Sequence, residues 1–384
     1  MFTMTTPNVV ILSAGRGFRM YPFTVDRPVT LCTVANVPLL QSLLRQIEPA
    51  GFHQVFLALP ARAMGMKNLA LPAVPHGFHL EVFSPKAPAL GQVGNVREAT
   101  SHNDGPTLVL YGDSFLSVDF LRLIECHQEN RSKGALATIL YHRPPDLRVP
   151  EKDGRTYHGV MSVDQNRCIS RFVEKPKVEE ILPGFDLANA AVFIVENELM
   201  NRAEFQAAKN FSFDIFEPSV RAGLPIYGCD IGSGFRFDAG GIARWQEVNI
   251  KVIRREINAP IPGTEILPSV WVGAETDARS LQIEPPVLVG DRVQVAATAR
   301  IGPEVILGNC CRIGDGAVVR NSIMMDNCWV GAGARLDHCL VGPHCKINNG
   351  VELPRFTVLG AYAVVGSDAW PVWAEEKEYQ YEHE

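Results

Sequence analysis

The stretch AGRGFRMYPFTVDRPVT, residues 14–30, places two close glycines and three arginines after the apolar run Val9-Val10-Ile11-Leu12. Glycines behind a strand let backbone N–H groups approach a phosphate, so this spacing suits the holding of a phosphorylated ligand. Two familiar phosphate loops are excluded: the third glycine of G-x-G-x-x-G falls on Met20, and no G-x-x-x-x-G-K-[ST] stretch occurs. Two carboxylates stand in comparable places. Asp113 follows the run TLVLYG, and Asp238 follows FRF just ahead of Gly240-Gly241. Either one alone reads equally as a turn or N-cap residue. The Glu174-Lys175 dipeptide follows SRFV and by itself reads as a solvated ion pair, while Phe235-Arg236-Phe237 reads as packing.

Such residues need a scaffold that delivers them to one place. Up to about residue 258, short apolar runs alternate with helical patterns. Residues 9–12, 54–59, 107–111 and 135–141 are expected as strands, and 38–48, 91–99, 118–128 and 241–254 as helices. That alternation predicts an α/β fold, a Rossmann-like doubly wound mixed sheet whose ligands sit at the carboxyl ends of the strands. The quoted loop falls at such an end.

After the Pro-rich joint REINAPIPG the period changes. Apolar residues recur every six positions at Val289, Val295, Ile301, Leu307, Ile313, Val319 and Met325, slip by one to Val330 and Leu336, and slip again to Val341, Ile347, Leu353, Leu359 and Val365. This predicts a left-handed parallel β-helix of hexapeptide repeats, with short strands stacked coil on coil. A second inward row lies two positions earlier and is mostly small: Val293, Ala299, Val305, Cys311, Ala317, Ile323, Cys328, Ala334, Cys339, Cys345, Val351, Thr357 and Ala363. Its four cysteines read as small packing residues, since no C-x-x-C or Cys/His spacing of the zinc type occurs. The expected domains are 1–258, 259–370 and an acidic, solvated tail at 371–384.

Composition narrows the function classes. With 46% hydrophobic and 20% charged residues, the 384-residue chain is globular and large enough for two domains. A net charge of −6 with scattered Lys and Arg offers no footprint for nucleic acid, and no apolar run is long enough to span a bilayer. The opening MFTMTTPNVVILSAG lacks a positive region, and its four-residue apolar run reads as a first strand instead of a secretory signal. A soluble, cytoplasmic protein is expected.

Seven stretches together carry a resemblance. LSAGRGFRMYPFT is similar to L-A-A/G-G-x-G-T-R-x-x-P-L-T, and RPVTLCTVANVPLL to P-K-P-L-x-x-V-x-N-x-P-L-L. LGQVGNVREA, YGDSFL, HGVMSVDQNRCISRFVEKP, LANAAVFI and FRFDAGGIARWQEVN follow in the same order. The chain resembles the sugar-1-phosphate nucleotidyltransferases that carry a C-terminal left-handed β-helix. The resemblance implies attack of a sugar-1-phosphate on the α-phosphate of a nucleoside triphosphate, with release of pyrophosphate. It assigns Leu12, Ala14, Gly15, Gly17, Gln92 and Gly94 to the nucleotide, and Arg19 to the β- and γ-phosphates. Asp113 and Asp238 would hold Mg²⁺, and Glu174, Lys175, Gly159 and Asn189 would take the sugar and its phosphate. It also implies a homo-oligomer formed through the β-helix, and it leans toward mannose-1-phosphate with GTP, or glucose-1-phosphate.

The pattern is not complete. The lysine of P-K-P is Val29, Phe18 stands for Thr, Gln92 for Thr, Val93 for Ala, and Ala191 for the Gly after the Asn. Loss of one preorganised cation costs about 3–4 kcal/mol in such a barrier, and Arg27, two residues away, is a candidate replacement. Two readings therefore stand: a nucleotide-sugar-forming enzyme, and a catalytically impaired regulatory or assembly relative that still binds nucleotide sugar, similar to subunits of the eukaryotic translation-initiation exchange factor. Acyl transfer by the β-helix is the weakest reading, because His338 and His344 fall outside both inward rows.

Overall fold

The computed structural model describes residues 7–52, 54–64, 71, 78–86, 91–103, 105–277 and 282–366. The expected acidic tail lies outside the described residues. In chain order the first strands are β1 (Asn8–Leu12), β2 (Thr33–Val34), β3 (Val37–Pro38), β4 (Gln54–Ala58), β5 (His79–Phe83), β6 (Thr107–Tyr111) and β7 (Ser114–Ser117). They continue with β8 (Ala137–His142), β9 (Gly159–Val163), β10 (Ile169–Glu174), β11 (Leu187–Val195), β12 (Ile226–Asp230) and β13 (Phe235–Asp238). The helices are α1 (Leu39–Ile47), α2 (Ala61–Met64), α3 (Gly91–Ala99), α4 (Phe120–Arg131), α5 (Asn197–Met200), α6 (Glu217–Arg221) and α7 (Ile242–Ile253).

The chain forms two compact units. The first, Met1–Arg16, Pro28–Leu31 and Leu39–Asp238, is built on a mixed sheet of order β10-β9-β11-β6-β1-β4-β5, with β8 paired to β11 and β12. Strands β4, β1 and β6 are parallel, whereas β11 is antiparallel to β6, β8 and β9. Successive side chains of a strand face opposite sides, and a sheet covered on both faces reads as an unbroken apolar run. Accordingly Val9 and Ile11 pack with Leu40, Leu43, Leu44 and Ile47 of α1, while Val10 and Leu12 pack with Val93 and Val96 of α3 on the other face. Helix α4 begins where Asp119 accepts a hydrogen bond from the Arg122 backbone N–H at 2.9 Å, a side-chain cap that fixes its start. β11 is bulged between Asn189 and Phe193, so its first half serves β9 and its second half β6.

The second unit comprises Gly17–Arg27, Cys32–Pro38 and the chain from Ala239. Within it the β2–β3 hairpin turns on Ala35 and Asn36, both at positive φ, and is tied to α7: Trp245 Nε1 donates to the Thr33 carbonyl at 2.7 Å, and Asn249 Oδ1 accepts from Ala35 N at 2.8 Å. The C-terminal strands stack in parallel as three sheets, the faces of a β-helix. Both inward rows are found, with one correction. Leu307 pairs with Met324 and Met324 with Val341, so Met324 occupies the row assigned to Met325, and the short step falls one turn earlier. In the second row the shift puts Ser322 where Ile323 was expected. Ser322 is fully buried and satisfied, its hydroxyl donating to the Arg320 carbonyl and accepting from Cys339 N at 2.9 Å. The chain passes the shortened corner with Asn321 at φ 47°, a conformation asparagine tolerates. Cys311, Cys328, Cys339 and Cys345 lie in the β-helix core, where the first, second and fourth donate S–H to the carbonyls of Met325, Gly342 and Gly360 at 3.2, 3.1 and 3.0 Å.

Candidate active site

The site of the first unit forms where β1 and β6 end. Gly112 N donates to the Leu12 carbonyl at 2.9 Å, and a Cβ on Gly112 would meet Ser13 Cβ at 2.8 Å and Thr30 Oγ1 at 3.1 Å. Only glycine permits that approach, which seats the start of the loop and the 28–31 segment beside the turn that carries Asp113. Ala14 is half-buried, and Gly15 is exposed with open space around it, leaving its backbone accessible to a ligand. Strands β7 and β13 pair antiparallel with Asp238 opposite Ser114, so Asp238 closes the ribbon next to Asp113, two residues remote in sequence but adjacent in space. Asp113 lies in the turn, outside the pleat, and its direction is not bound to the alternation of β7; Asp238 is buried.

A second cluster lies across β9, β10 and β11. Gly159 is the register partner of Glu174, and a Cβ at 159 would collide with Glu174 Oε2 while lying 3.5 Å from Asn189 Cβ. Gly159, Glu174 and Asn189 thus converge on one spot. Asn189 Oδ1 accepts from Ala191 N at 2.8 Å, and its Nδ2 donates to Ser212 Oγ at 3.5 Å. Burial pushes the Glu174 carboxyl above its ordinary range, with Glu217 adding to this, against a hydrogen bond from Ser212 and the charges of Lys175 and Arg236. Lys175 sits at positive φ after the strand with its Nζ 5.4 Å from the Tyr157 ring centroid, held on an aromatic face beside the pocket.

Gln92 ties α3 to the end of β6. Its Oε1 accepts from Tyr111 Oη at 2.8 Å. Helix α3 is fixed there because Val93 N donates to the Lys209 carbonyl, and a side chain at Gly91 would strike the Lys209 backbone. Gly94 is buried on α3. Burial raises the Tyr111 phenol, and the carboxylates of Glu174 and Asp113 raise it further while Arg236 opposes them, so these groups share one electrostatic field.

Gly17 and Arg19 fold with the second unit. Gly17 adopts φ 68° and starts a short helical turn over Phe18–Met20, its carbonyl accepting from Thr24 Oγ1 at 2.7 Å; Arg19 is exposed. Arg27, the candidate replacement cation, is paired with Asp26 through both Nε and Nη2 at 3.2 and 3.1 Å.

Several residues of the site went unread in the sequence. Ser212 enters through a π-helical turn, Phe211–Phe216, capped by Asn210, whose side chain accepts from Ser212 N and Phe213 N. Asn210 signals a helix start, but nothing local signals the widened turn that aims Ser212 at Asn189. His142 ends β8, and burial drives its pKa down to about 3, with His158 and Arg236 contributing. Its buried Nε2 has no hydrogen-bond partner among the described residues. Arg236, read as packing, lies two residues before Asp238 and so on the same face of β13; its Nη2 donates to Ser114 Oγ at 3.5 Å. The packing role belongs to its neighbours, with Phe235 and Phe115 ring centroids 5.5 Å apart.

Residues 8–248 match the nucleotidyl transferase family model, and residues 283–370 match the GMPPB C-terminal domain. The chain belongs to the nucleotidyltransferase family. Among similar curated proteins, a UTP–glucose-1-phosphate uridylyltransferase of Synechocystis is 29% identical over 90% of this chain and 89% of its own. A mannose-1-phosphate guanylyltransferase catalytic subunit beta of Drosophila pseudoobscura is 25% identical over 94% and 90%. A glucose-1-phosphate thymidylyltransferase of Streptomyces antibioticus is 26% identical over 93% and 98%. These nucleotidyltransferases are named for synthesis of nucleotide sugars, and the impaired, regulatory reading finds no support among them. Among the described residues no helix is long and apolar enough to cross a membrane.

Whether the nucleotidyltransferase residues suit a divalent cation is a question of donor chemistry. Among the described residues no three His, Cys, Asp or Glu side chains gather into a metal-binding group. A cation at the β7–β13 corner would therefore rest on two hard carboxylate oxygens and on ligand oxygens, the arrangement Mg²⁺ accepts because it keeps most of its shell from water and phosphate. The residues fit that ion.

Proposed function

We propose that the protein joins a sugar-1-phosphate to a nucleoside triphosphate, forming an NDP-sugar and pyrophosphate. The observation that carries this reading is the β7–β13 pairing, which sets Asp238 opposite Ser114 and hence beside Asp113. An oxygen of the sugar phosphate forms a bond to the α-phosphorus as the bond from that phosphorus to the bridging oxygen of the β-phosphate breaks, and pyrophosphate leaves. Asp113 and Asp238 would hold Mg²⁺, which when bound offsets the charge of the phosphates. Gly15 presents backbone N–H to the triphosphate, and Leu12 and Ala14 with Gln92 and Gly94 complete the nucleotide side of the first unit. Glu174, Asn189 and Gly159 orient the sugar hydroxyls, with Lys175 at the rim. Positioning of this kind is most of what such a transfer requires.

Glucose-1-phosphate and mannose-1-phosphate are the sugars to try first, with UTP, GTP and TTP, since the similar proteins carry those names. The test is a pyrophosphate-release screen with Mg²⁺, four nucleoside triphosphates and a panel of sugar-1-phosphates. Turnover with at least one pair is expected; silence across the panel overturns the proposal. Self-association through the β-helix and a cytoplasmic setting complete the reading.

A further inference from the structure

We propose that Arg236 binds the phosphate of the sugar-1-phosphate and holds it between the Glu174 pocket and the Asp113–Asp238 corner. The inference rests on the nucleotidyl-transfer reading above. Three observations lead to it. Arg236 shares a face of β13 with Asp238, and its Nη2 bond to Ser114 Oγ, at 3.5 Å, directs the side chain along the ribbon toward the residue that follows Asp113. That bond sets the guanidinium just past the end of β6, and its charge also bears on His142 and Glu174, which end β8 and β10, the strand ends beside which a ligand of this fold lies. The aromatic residues on either side of it pack with each other and with Phe115, which leaves the arginine and Asp238 as the members of this strand that serve the site.

Ligand geometry then fixes its role. The hydroxyls of the sugar belong at Glu174 and Asn189, and the reacting phosphate oxygen belongs near the two aspartates, so the phosphate ester must span the gap between the clusters. Arg236 enters that gap from the aspartate side, where it shares a face of β13 with Asp238 and bonds Ser114, the neighbour of Asp113. A planar guanidinium suits a phosphate because two of its N–H groups match two phosphate oxygens, a bond lysine reproduces only as a point charge. The chain also has Val29 where its resemblance calls for a lysine. A dianionic nucleophile approaching a triphosphate needs positive charge nearby, and Arg236 supplies it from β13.

The experiment compares the wild type with Arg236→Met and Arg236→Lys. Steady-state kinetics would vary the two substrates separately, and calorimetry would titrate glucose-1-phosphate and mannose-1-phosphate in Mg²⁺ without nucleotide. Arg236→Met is expected to raise the KM for sugar-1-phosphate, and weaken its binding, on the order of 10–100-fold, the size of a lost charge-assisted hydrogen bond pair, with the KM for the triphosphate within about 3-fold. Arg236→Lys should recover part of the loss. Equal damage to both substrates, or sugar-1-phosphate affinity unchanged in Arg236→Met, overturns the inference while leaving the transferase reading intact. A wild type that turns over no pair overturns that reading instead, and the titration still decides Arg236: failure of the wild type to bind either sugar-1-phosphate removes it. Should Arg236→Met melt early, the lysine variant carries the test, with at least a 3-fold loss in sugar-1-phosphate affinity expected and none overturning it.

Discussion

At position 191 the backbone shows what a departure from the family pattern costs. Ala191 sits at φ 53° inside the β11 bulge, anchored by its N–H to Asn189 Oδ1. A left-handed conformation costs an L-residue roughly 1–2 kcal/mol, offset in part by the greater entropy glycine loses on folding. Ala191→Gly should therefore stabilise the protein by about 0.5–1 kcal/mol in urea unfolding, and a destabilised variant would refute the strain. Glu174 makes the opposite kind of demand. Its folded pKa is raised by burial, so its contribution to stability is greatest below the ordinary carboxylate pKa and is lost as pH rises through the folded value. Glu174→Gln should be more stable than wild type at neutral pH, the difference closing in acid, yet lose sugar-1-phosphate binding; an equal melting temperature at pH 7 would count against a strained carboxylate. Asp238→Asn should cut pyrophosphate release by about 10²–10³-fold with folding retained, measured by turnover and circular dichroism together. His142 acts in a third way. It is lowered to about 3, so the unfolded chain takes up a proton near pH 6.5 that the folded one refuses, and stability falls as pH drops from there toward 3. His142→Gln should flatten that decline.

Among the elements, the β-helix coil at 322–325 offers a sharp comparison between neighbours. Met324 is fully buried in the core row and Met325 is 6% exposed outside it. Truncating a core methionine costs about 2–5 kcal/mol through lost transfer energy and a cavity, and less where surroundings can relax. Met324→Ala should be the more damaging of the two in thermal unfolding; the reverse order would restore the register read from the sequence. The misplacement has a physical cause. Ile323, Met324 and Met325 are all apolar, so hydrophobicity locates a missing residue only to within that run, and the buried row partner is a serine, which composition alone assigns to the surface. The helices were legible because their apolar stripes repeat, as in α1, where Leu39, Leu40, Leu43, Leu44 and Ile47 share one face. In the site, Gly159, Glu174 and Asn189 were legible as motif members. Ser212 and Arg236 were not, because one depends on a π-turn and the other on which face of β13 meets β7, and both are settled by pairing partners more than 90 residues away in the sequence or by a local widening that no residue type announces.

On the scale of the whole molecule, the last described coils bear on assembly. A stacked prism has ends and faces that its own strands leave uncovered, and solenoids protect them with polar caps or with a partner. Here Phe356 is 73%, Tyr362 55% and Val364 61% exposed. Two of them are ordered by their neighbours: the Tyr362 ring lies parallel to His344 with centroids 4.7 Å apart, and Phe356 meets His338 edge-on at 5.4 Å. Pre-ordered rings lose little entropy on being covered, which lowers the cost of burying them against a second copy. Sedimentation at tens of micromolar should then give a mass above the 42.2 kDa of one chain. Phe356→Asp combined with Tyr362→Asp should shift the distribution to the monomer with the β-helix still folded, because neither ring belongs to its core. A wild-type chain that sediments as a monomer throughout that range, or a double variant that associates as well as the wild type, would show that these exposed rings mediate no self-association.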